Sequence, residues 1–62
     1  MRTKELIKAL EQKGWILSRI KGSHHIMTKP GCRSIPIPFH GNNDLDAKFI
    51  RLIEKQSGEK LQ

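Results

Sequence analysis

The strongest restriction on the fold comes from a short segment in which proline alternates with large apolar residues. The segment Ile35-Pro36-Ile37-Pro38-Phe39 has the period of two that is typical of a strand with one buried face. Because proline has no backbone N–H, two prolines remove two donors from the strand. We therefore predict that the extended segment from Arg33 to Phe39 lies at the edge of a sheet.

Two further strands are predicted before this segment. Trp15 to Lys21 is rich in β-forming apolar residues, and His24 to Lys29 follows the turn pair Gly22-Ser23. Pro30-Gly31 ends the second of these strands. Three successive antiparallel strands joined by short connections are expected.

An amphipathic helix is predicted before the strands, from Thr3 to Lys13. Thr3 is expected to be its N-cap, without a capping-box acid because the third residue on is Leu6. Gly14 is expected to end the helix. The apolar stripe consists of Leu6, Ile7, Ala9 and Leu10.

A second helix is predicted after the strands. Asn43 or Asp44 is expected to cap it, and it runs to about Ser57, with Gly58 as the stop signal. Residues 59–62 are expected to fray. The stripe predicted to face the core consists of Leu45, Phe49, Leu52 and Ile53.

This order predicts an α+β fold with two layers, α-β-β-β-α. Both helices are expected on one face of a three-stranded antiparallel sheet, which leaves the other face open to a ligand. A chain of 62 residues buries only about 60% of the surface that it exposes when unfolded. We therefore expect a single domain over residues 1–62, with a shallow site near its surface.

The charges are unevenly distributed along the chain. There are 12 Lys and Arg against 6 Asp and Glu, for a net charge of +6, and no acidic residue occurs between Gly14 and Gly41. A basic surface attracts polyanions, and also anionic membranes or acidic proteins. The central part of the chain is therefore predicted to face nucleic acid, through Arg19, Lys21, Lys29 and Arg33.

The adjacent histidines are predicted to face opposite ways. If Gly22-Ser23 is a two-residue hairpin loop, Lys21 opposes His24 and Ile20 opposes His25. A three-residue loop would reverse this arrangement. In the first case His24 shares a face with Lys21, Arg19, Trp15 and Leu17, and His25 shares the other face with Ile20, Ile16 and Met27.

His24 is the better candidate for chemistry. Histidine is the side chain that exchanges a proton near neutral pH, and His24 would lie beside two cations. His25, beside aliphatic residues, is interpreted as a packing residue. A zinc site is disfavoured because Cys32 and the histidines lack metal-ligand spacing, and a single cysteine excludes an internal disulfide. We also expect a cytoplasmic protein, since no signal peptide or membrane span is recognisable.

The chain resembles the HicA-type toxins, the RNA-cleaving components of bacterial toxin–antitoxin pairs. The resemblance extends from Arg2 to about Gly58, and its matching features are Glu5-Leu6-Ile7 with Leu10, Gly14-Trp15, Arg19, Gly22-Ser23-His24 and Leu52-Ile53. It implies a fold like that of double-stranded-RNA-binding domains. It also implies cleavage of messenger RNA without a cofactor, with His24 essential, and a HicB-type antitoxin that covers the active site and represses the operon.

The predicted site therefore has His24 as the catalytic residue and Arg19, Lys21, Ser23, Lys29 and Arg33 as RNA-binding residues. Ser23 is explained more simply by turn chemistry. No second proton-transfer group is identified, since His40 is interpreted as an ordinary loop histidine. A non-catalytic RNA-binding module and a protein-interaction domain with an acidic partner are the alternatives. A monomer is expected when no partner is bound.

Overall fold

The computed structural model describes residues 1–41 and 43–61. Asn42, in the predicted loop, and Gln62, in the predicted tail, lie outside the described residues. The elements are, in order, α1 (Thr3–Gln12), β1 (Ile16–Lys21), β2 (His24–Thr28), β3 (Ile35–Pro38) and α2 (Ala47–Ser57). The strands form one antiparallel sheet in the order β1-β2-β3. The predicted α-β-β-β-α order and the edge position of the proline strand are confirmed.

Both helices cover the same face of the sheet. Leu6 and Leu10 of α1 and Ile50 and Ile53 of α2 belong to one buried cluster with sheet residues. The other members of the cluster are Trp15, Met27, Ile35, Ile37 and Leu61. Burial of each large aliphatic side chain contributes about 1.5–3 kcal/mol, so this cluster fixes which face of the sheet the helices cover and which is left open.

The prolines of β3 are placed where a backbone donor is not needed. The N–H of Phe39 donates to the carbonyl of Ser23 at 2.6 Å, and Pro38 and Pro36 pair with His24 and Ile26 of β2. Hydrogen-bonded and non-hydrogen-bonded pairs alternate in an antiparallel ladder. Both prolines therefore fall in non-hydrogen-bonded pairs, with the ring nitrogen turned away from β2 towards the sheet edge.

The start of α1 corrects the sequence prediction by one residue. Its N-cap is Arg2, not Thr3, and the backbone N–H of Arg2 donates to Oε1 of Glu5 at 2.9 Å. Glu5 is therefore the acid of the capping box. The sequence prediction missed it because it took Thr3 as the N-cap. Thr3 itself is buried, and its N–H donates to the carbonyl of Asn43 at 3.2 Å.

The second helix also differs from its prediction. Its N-cap is Asp46, whose Oδ1 accepts a hydrogen bond from the N–H of Lys48 at 2.9 Å. Ile50 is buried, whereas Leu52 is 48% exposed. The predicted stripe was wrong at these two positions because the face that a helix buries is decided by where it lies on the sheet. Among the described residues, no helix is long and apolar enough to cross a membrane.

In the segment after α2, which the sequence predicted to fray, Glu59 and Leu61 contact other parts of the chain. The carboxylate of Glu59 accepts hydrogen bonds from Lys29 Nζ at 2.8 Å and from Trp15 Nε1 at 3.3 Å. Leu61 is only 7% exposed, and its N–H donates to Oε2 of Glu54 at 2.8 Å. These contacts join the end of the chain to the core.

Strand β1 contains an irregularity that the sequence did not reveal. Leu17 pairs with Met27 and Arg19 pairs with Ile26, so Ser18 is an extra residue without a partner. Such a bulge shifts the alternation of side chains on one side of it. Leu17 therefore packs against the core, whereas Ile16 is 61% exposed. The predicted faces of Leu17 and Ile16 were wrong for this reason, and Trp15 is likewise buried in the core cluster.

Candidate active site

The β1–β2 hairpin has the predicted register near its turn. Lys21 pairs with His24 and Ile20 pairs with His25. Gly22 has φ +59°, and no described residue other than glycine has a positive φ. A two-residue loop with positive φ at its first position alone matches a type II′ turn, which favours glycine there. The loop length therefore turns His24 to the open face of the sheet and His25 to the helix face.

The open face carries a groove of about 570 Å³, which we call the open-face groove. Side chains from both edge strands, the central strand and the segment after β3 contribute to it. Its lining includes Arg19, Lys21, Ser23, His24, Pro36 and His40. His24 is exposed within this cationic depression, where a polyanion can reach it.

Arg19 and Lys21 carry the positive charge of the groove. Both are exposed, and within residues 1–41 and 43–61 neither forms an ion pair. The predicted grouping of His24 with these two cations is therefore present in the structure. Exposed cations without an acidic partner keep their charge available for phosphate.

The structure gives Lys29 a different environment from the one we predicted. Its ammonium pairs with Glu59 at 2.8 Å, and it is not part of the open-face groove. The hydrogen bond from Lys29 holds the pKa of Glu59 below its ordinary value of 4.5; burial opposes this effect, and the hydrogen bond from Trp15 adds to it, as do the nearby charges of Lys29 and Lys13. Lys29 thus stabilises the packed end of the chain.

Arg33 lies beside the groove and not in it. It lines a second cleft of about 400 Å³ together with Ser34 and Pro36. Ser34 and Pro36 also line the open-face groove, so the two depressions are adjacent. A bound polyanion that extends beyond the open-face groove along β3 would meet Arg33.

His25 is a packing residue, as its position in the hairpin indicated. Its ring stacks on Phe39 with a centroid distance of 4.6 Å and an interplanar angle of 22°. Its Nδ1 is buried, with no hydrogen-bond partner among the described residues. The two neighbouring imidazoles therefore face opposite sides of the sheet and belong to different environments.

His40 is the residue that sequence reasoning missed. We interpreted it as an ordinary loop histidine because it is distant from His24 in the sequence, but it lines the same groove as His24. One signal was present in the sequence: continuing the alternation of the proline strand past Phe39 places residue 40 on the same face as Pro38. The sequence did not show that Pro38 pairs with His24. The register between β2 and β3 could not be predicted, because the six-residue connection between them, residues 29–34, does not fix it.

Among the described residues, the one cysteine does not line the open-face groove. Cys32 is exposed as a free thiol. Among the residues that the structure describes, no group of three or more His, Cys, Asp or Glu side chains is placed to hold a metal ion.

Comparison with known proteins gives the family. The family model described as the HicA toxin of bacterial toxin–antitoxin systems matches residues 3–59, a range that contains both helices, all three strands and the lining of the groove. A comparison with curated proteins found no match. A toxin of such a system implies an antitoxin as its partner. The chain therefore belongs to the HicA toxin family.

Proposed function

We propose that this toxin is a metal-independent endoribonuclease that cleaves messenger RNA, with His24 acting as a general acid or base. The observation that carries this proposal is the position of His24. Its exposed imidazole lies in the open-face groove, opposite Lys21 across the hairpin and on the same face as Arg19, where the helices leave the sheet uncovered.

RNA cleavage requires proton transfer and positive charge beside the phosphate, which the residues of the groove can supply. The 2′-hydroxyl loses its proton and attacks the adjacent phosphorus, and the bond from phosphorus to the 5′ oxygen breaks. Transfer of a proton to or from a reacting oxygen typically contributes about 10²–10⁴ in rate. Cations beside the phosphate stabilise the negative charge that develops in the transition state. His24 supplies a proton transfer, and Arg19 and Lys21 supply the charge.

The proposed RNA contacts follow from the placement of the cations. Arg19, Lys21 and the turn at Ser23 contact the phosphate chain within the groove, and Arg33 contacts it in the adjacent cleft. Lys29 is not assigned a contact because its ammonium is held by Glu59. We further propose a HicB-type antitoxin whose acidic or polar surface covers the open-face groove and so prevents RNA from entering it.

The experiment compares purified wild-type protein with His24→Ala on RNA in the presence of EDTA. Cleavage by the wild type and loss of cleavage by the variant are expected. His24 is exposed, so its replacement should leave folding intact. Binding is measured in parallel with a fully 2′-O-methylated RNA, which lacks the attacking hydroxyl, and the two proteins should bind it with nearly equal affinity.

The alternatives predict different results. A non-catalytic RNA-binding module would bind the methylated RNA but leave normal RNA intact, and it would be insensitive to the replacement of His24. A domain that recognises only an acidic protein would show no salt-dependent RNA binding. Either result would contradict the nuclease proposal.

A further inference from the structure

We propose that His40 is a second catalytic residue, which performs the proton transfer that His24 does not. The inference rests on the proposed nuclease function and names a group that its chemistry needs. Cleavage moves two protons: one leaves the 2′-hydroxyl as the new 2′-oxygen–phosphorus bond forms. The other joins the 5′ oxygen, which takes the electron pair of the breaking bond. The products are a 2′,3′-cyclic phosphate and a 5′-hydroxyl.

The strand register brings the two histidines together. His24 pairs with Pro38, the last residue of β3, and His40 follows Pro38 by two residues, at the position diagonal to His24 when the ladder is continued past the strand. Residues in this relationship are about 7–8 Å apart, which long and aromatic side chains can span. Both residues line the open-face groove. A ribose-phosphate unit between them would have one imidazole on each side.

The backbone is held on both sides of the peptide bond between residues 39 and 40. Before it, Phe39 donates its N–H to Ser23 at 2.6 Å and stacks on His25. After it, the carbonyl of His40 accepts a hydrogen bond from Nδ2 of Asn43 at 3.2 Å. These contacts fix the chain just beyond β3, where His40 lines the open-face groove.

His40 lines the open-face groove and also a neighbouring cleft beside Asp44 and Phe49. It is exposed, and within residues 1–41 and 43–61 its ring takes part in no hydrogen bond, ion pair or ring contact. The one hydrogen bond at this residue uses its backbone carbonyl, which any side chain would preserve. Replacing the ring therefore tests its chemistry without disturbing the fold.

The test uses two RNA oligonucleotides that differ in one atom at a site cleaved by the wild type. One has the natural 5′ bridging oxygen and the other has sulfur in its place. A thiolate leaves without being protonated, so the sulfur substrate no longer needs a general acid. Single-turnover rates are measured for wild type, His24→Ala, His40→Ala and His40→Gln, and affinity is measured with the fully 2′-O-methylated RNA.

On the oxygen substrate, both His40 variants should lose about 10²–10⁴ in rate while keeping nearly wild-type affinity. On the sulfur substrate, one of the two alanine variants should recover most of its lost rate and the other should not, which identifies the acid and the base. Added imidazole should partly restore His40→Ala, since the site is open to solvent. His25→Phe removes a histidine from the opposite face and is the matched control, with an unchanged rate.

Several results would overturn the inference. One is cleavage of the oxygen substrate by His40→Ala at the wild-type rate. Another is a loss of affinity in proportion to rate, which would make His40 an RNA contact only. Failure of sulfur to rescue either variant would also overturn it. If the wild type itself does not cleave RNA, or if His24→Ala cleaves normally, the proposed function fails and not only the role of His40.

Discussion

The rings of His25 and Phe39 stack at 4.6 Å, with an angle of 22° between their planes, on the face of the sheet that the helices cover. Each of these residues has a histidine as its neighbour in the chain, His24 beside His25 and His40 beside Phe39. Because neighbouring residues of an extended chain point to opposite faces, fixing the first pair on one side directs the second pair to the other. The stack thus places His25 and Phe39 on the face opposite the open-face groove, which His24 and His40 line.

The stack also leads to a prediction about stability. The buried Nδ1 of His25 has no hydrogen-bond partner among the described residues, and an unsatisfied buried polar atom costs about 1–3 kcal/mol. His25→Phe keeps an aromatic ring against Phe39 and removes that atom, so the free energy of unfolding should rise by about 1 kcal/mol. His25→Ala removes the same atom but also loses the stack, so it should be less stable than His25→Phe by at least about 0.5–1.5 kcal/mol. Urea denaturation monitored by circular dichroism measures both, and a destabilised His25→Phe would contradict this account.

The carboxylate of Glu59 should make stability depend on pH. Its pKa is lowered in the folded protein, chiefly by the hydrogen bond from Lys29, so the unfolded chain binds more protons than the folded one as the pH falls. The stabilisation is present above the ordinary value of 4.5 and is lost as the pH falls through the folded value. Glu59→Gln should therefore be less stable than wild type near neutral pH, with a difference that narrows in acid.

Urea denaturation from about pH 7 to about pH 3 follows this difference. Lys29→Gln is the matched control, because it removes the main cause of the lowered pKa while leaving the carboxylate in place. It should also weaken the dependence on pH. A gap between wild type and Glu59→Gln that stays constant over the whole range would show that the carboxylate does not contribute in this way.

Replacing Leu61 or Leu52 by alanine compares the contribution of a buried leucine to stability with that of an exposed one. Leu61 is 7% exposed and belongs to the core cluster, whereas Leu52 is 48% exposed. Leu61→Ala should lower the free energy of unfolding by about 2–5 kcal/mol, the range for a truncated core leucine. Leu52→Ala should change it by less than about 1 kcal/mol. Equal effects would mean that the end of the chain does not pack as the structure describes.

The cations of the groove should differ from Lys29 in their effect on RNA binding. Each Lys or Arg that neutralises a phosphate of a single strand contributes about 0.7 to the slope of log affinity against log salt. Arg19→Ala and Lys21→Ala should each reduce the slope by about that amount. Lys29→Ala should leave the slope unchanged, because that ammonium is paired with Glu59.

Fluorescence anisotropy at several salt concentrations, with the non-cleavable RNA, measures these slopes. An equal reduction on replacement of Lys29 would return it to the RNA-binding surface that the sequence first indicated.

The parts of this protein that the sequence determined are those that depend on neighbouring residues. Alternating prolines placed β3 at the sheet edge, because a missing N–H is a property of the residue itself. The pair Gly22-Ser23 fixed the hairpin register and thereby the opposite directions of His24 and His25, because a two-residue loop has only a few backbone conformations. These two facts were enough to bring His24 together with Arg19 and Lys21.

Tertiary structure decided what depends on residues far apart in the chain. The bulge at Ser18, the choice of Ile50 over Leu52 as the buried residue, and the packing of Leu61 all follow from how the helices fit the sheet. The ion pair that draws Lys29 to Glu59 spans 30 positions, and the pairing of β2 with β3 places His40 beside His24. Local patterns carry no information about such contacts, because burial and strand register are settled only when the whole core packs.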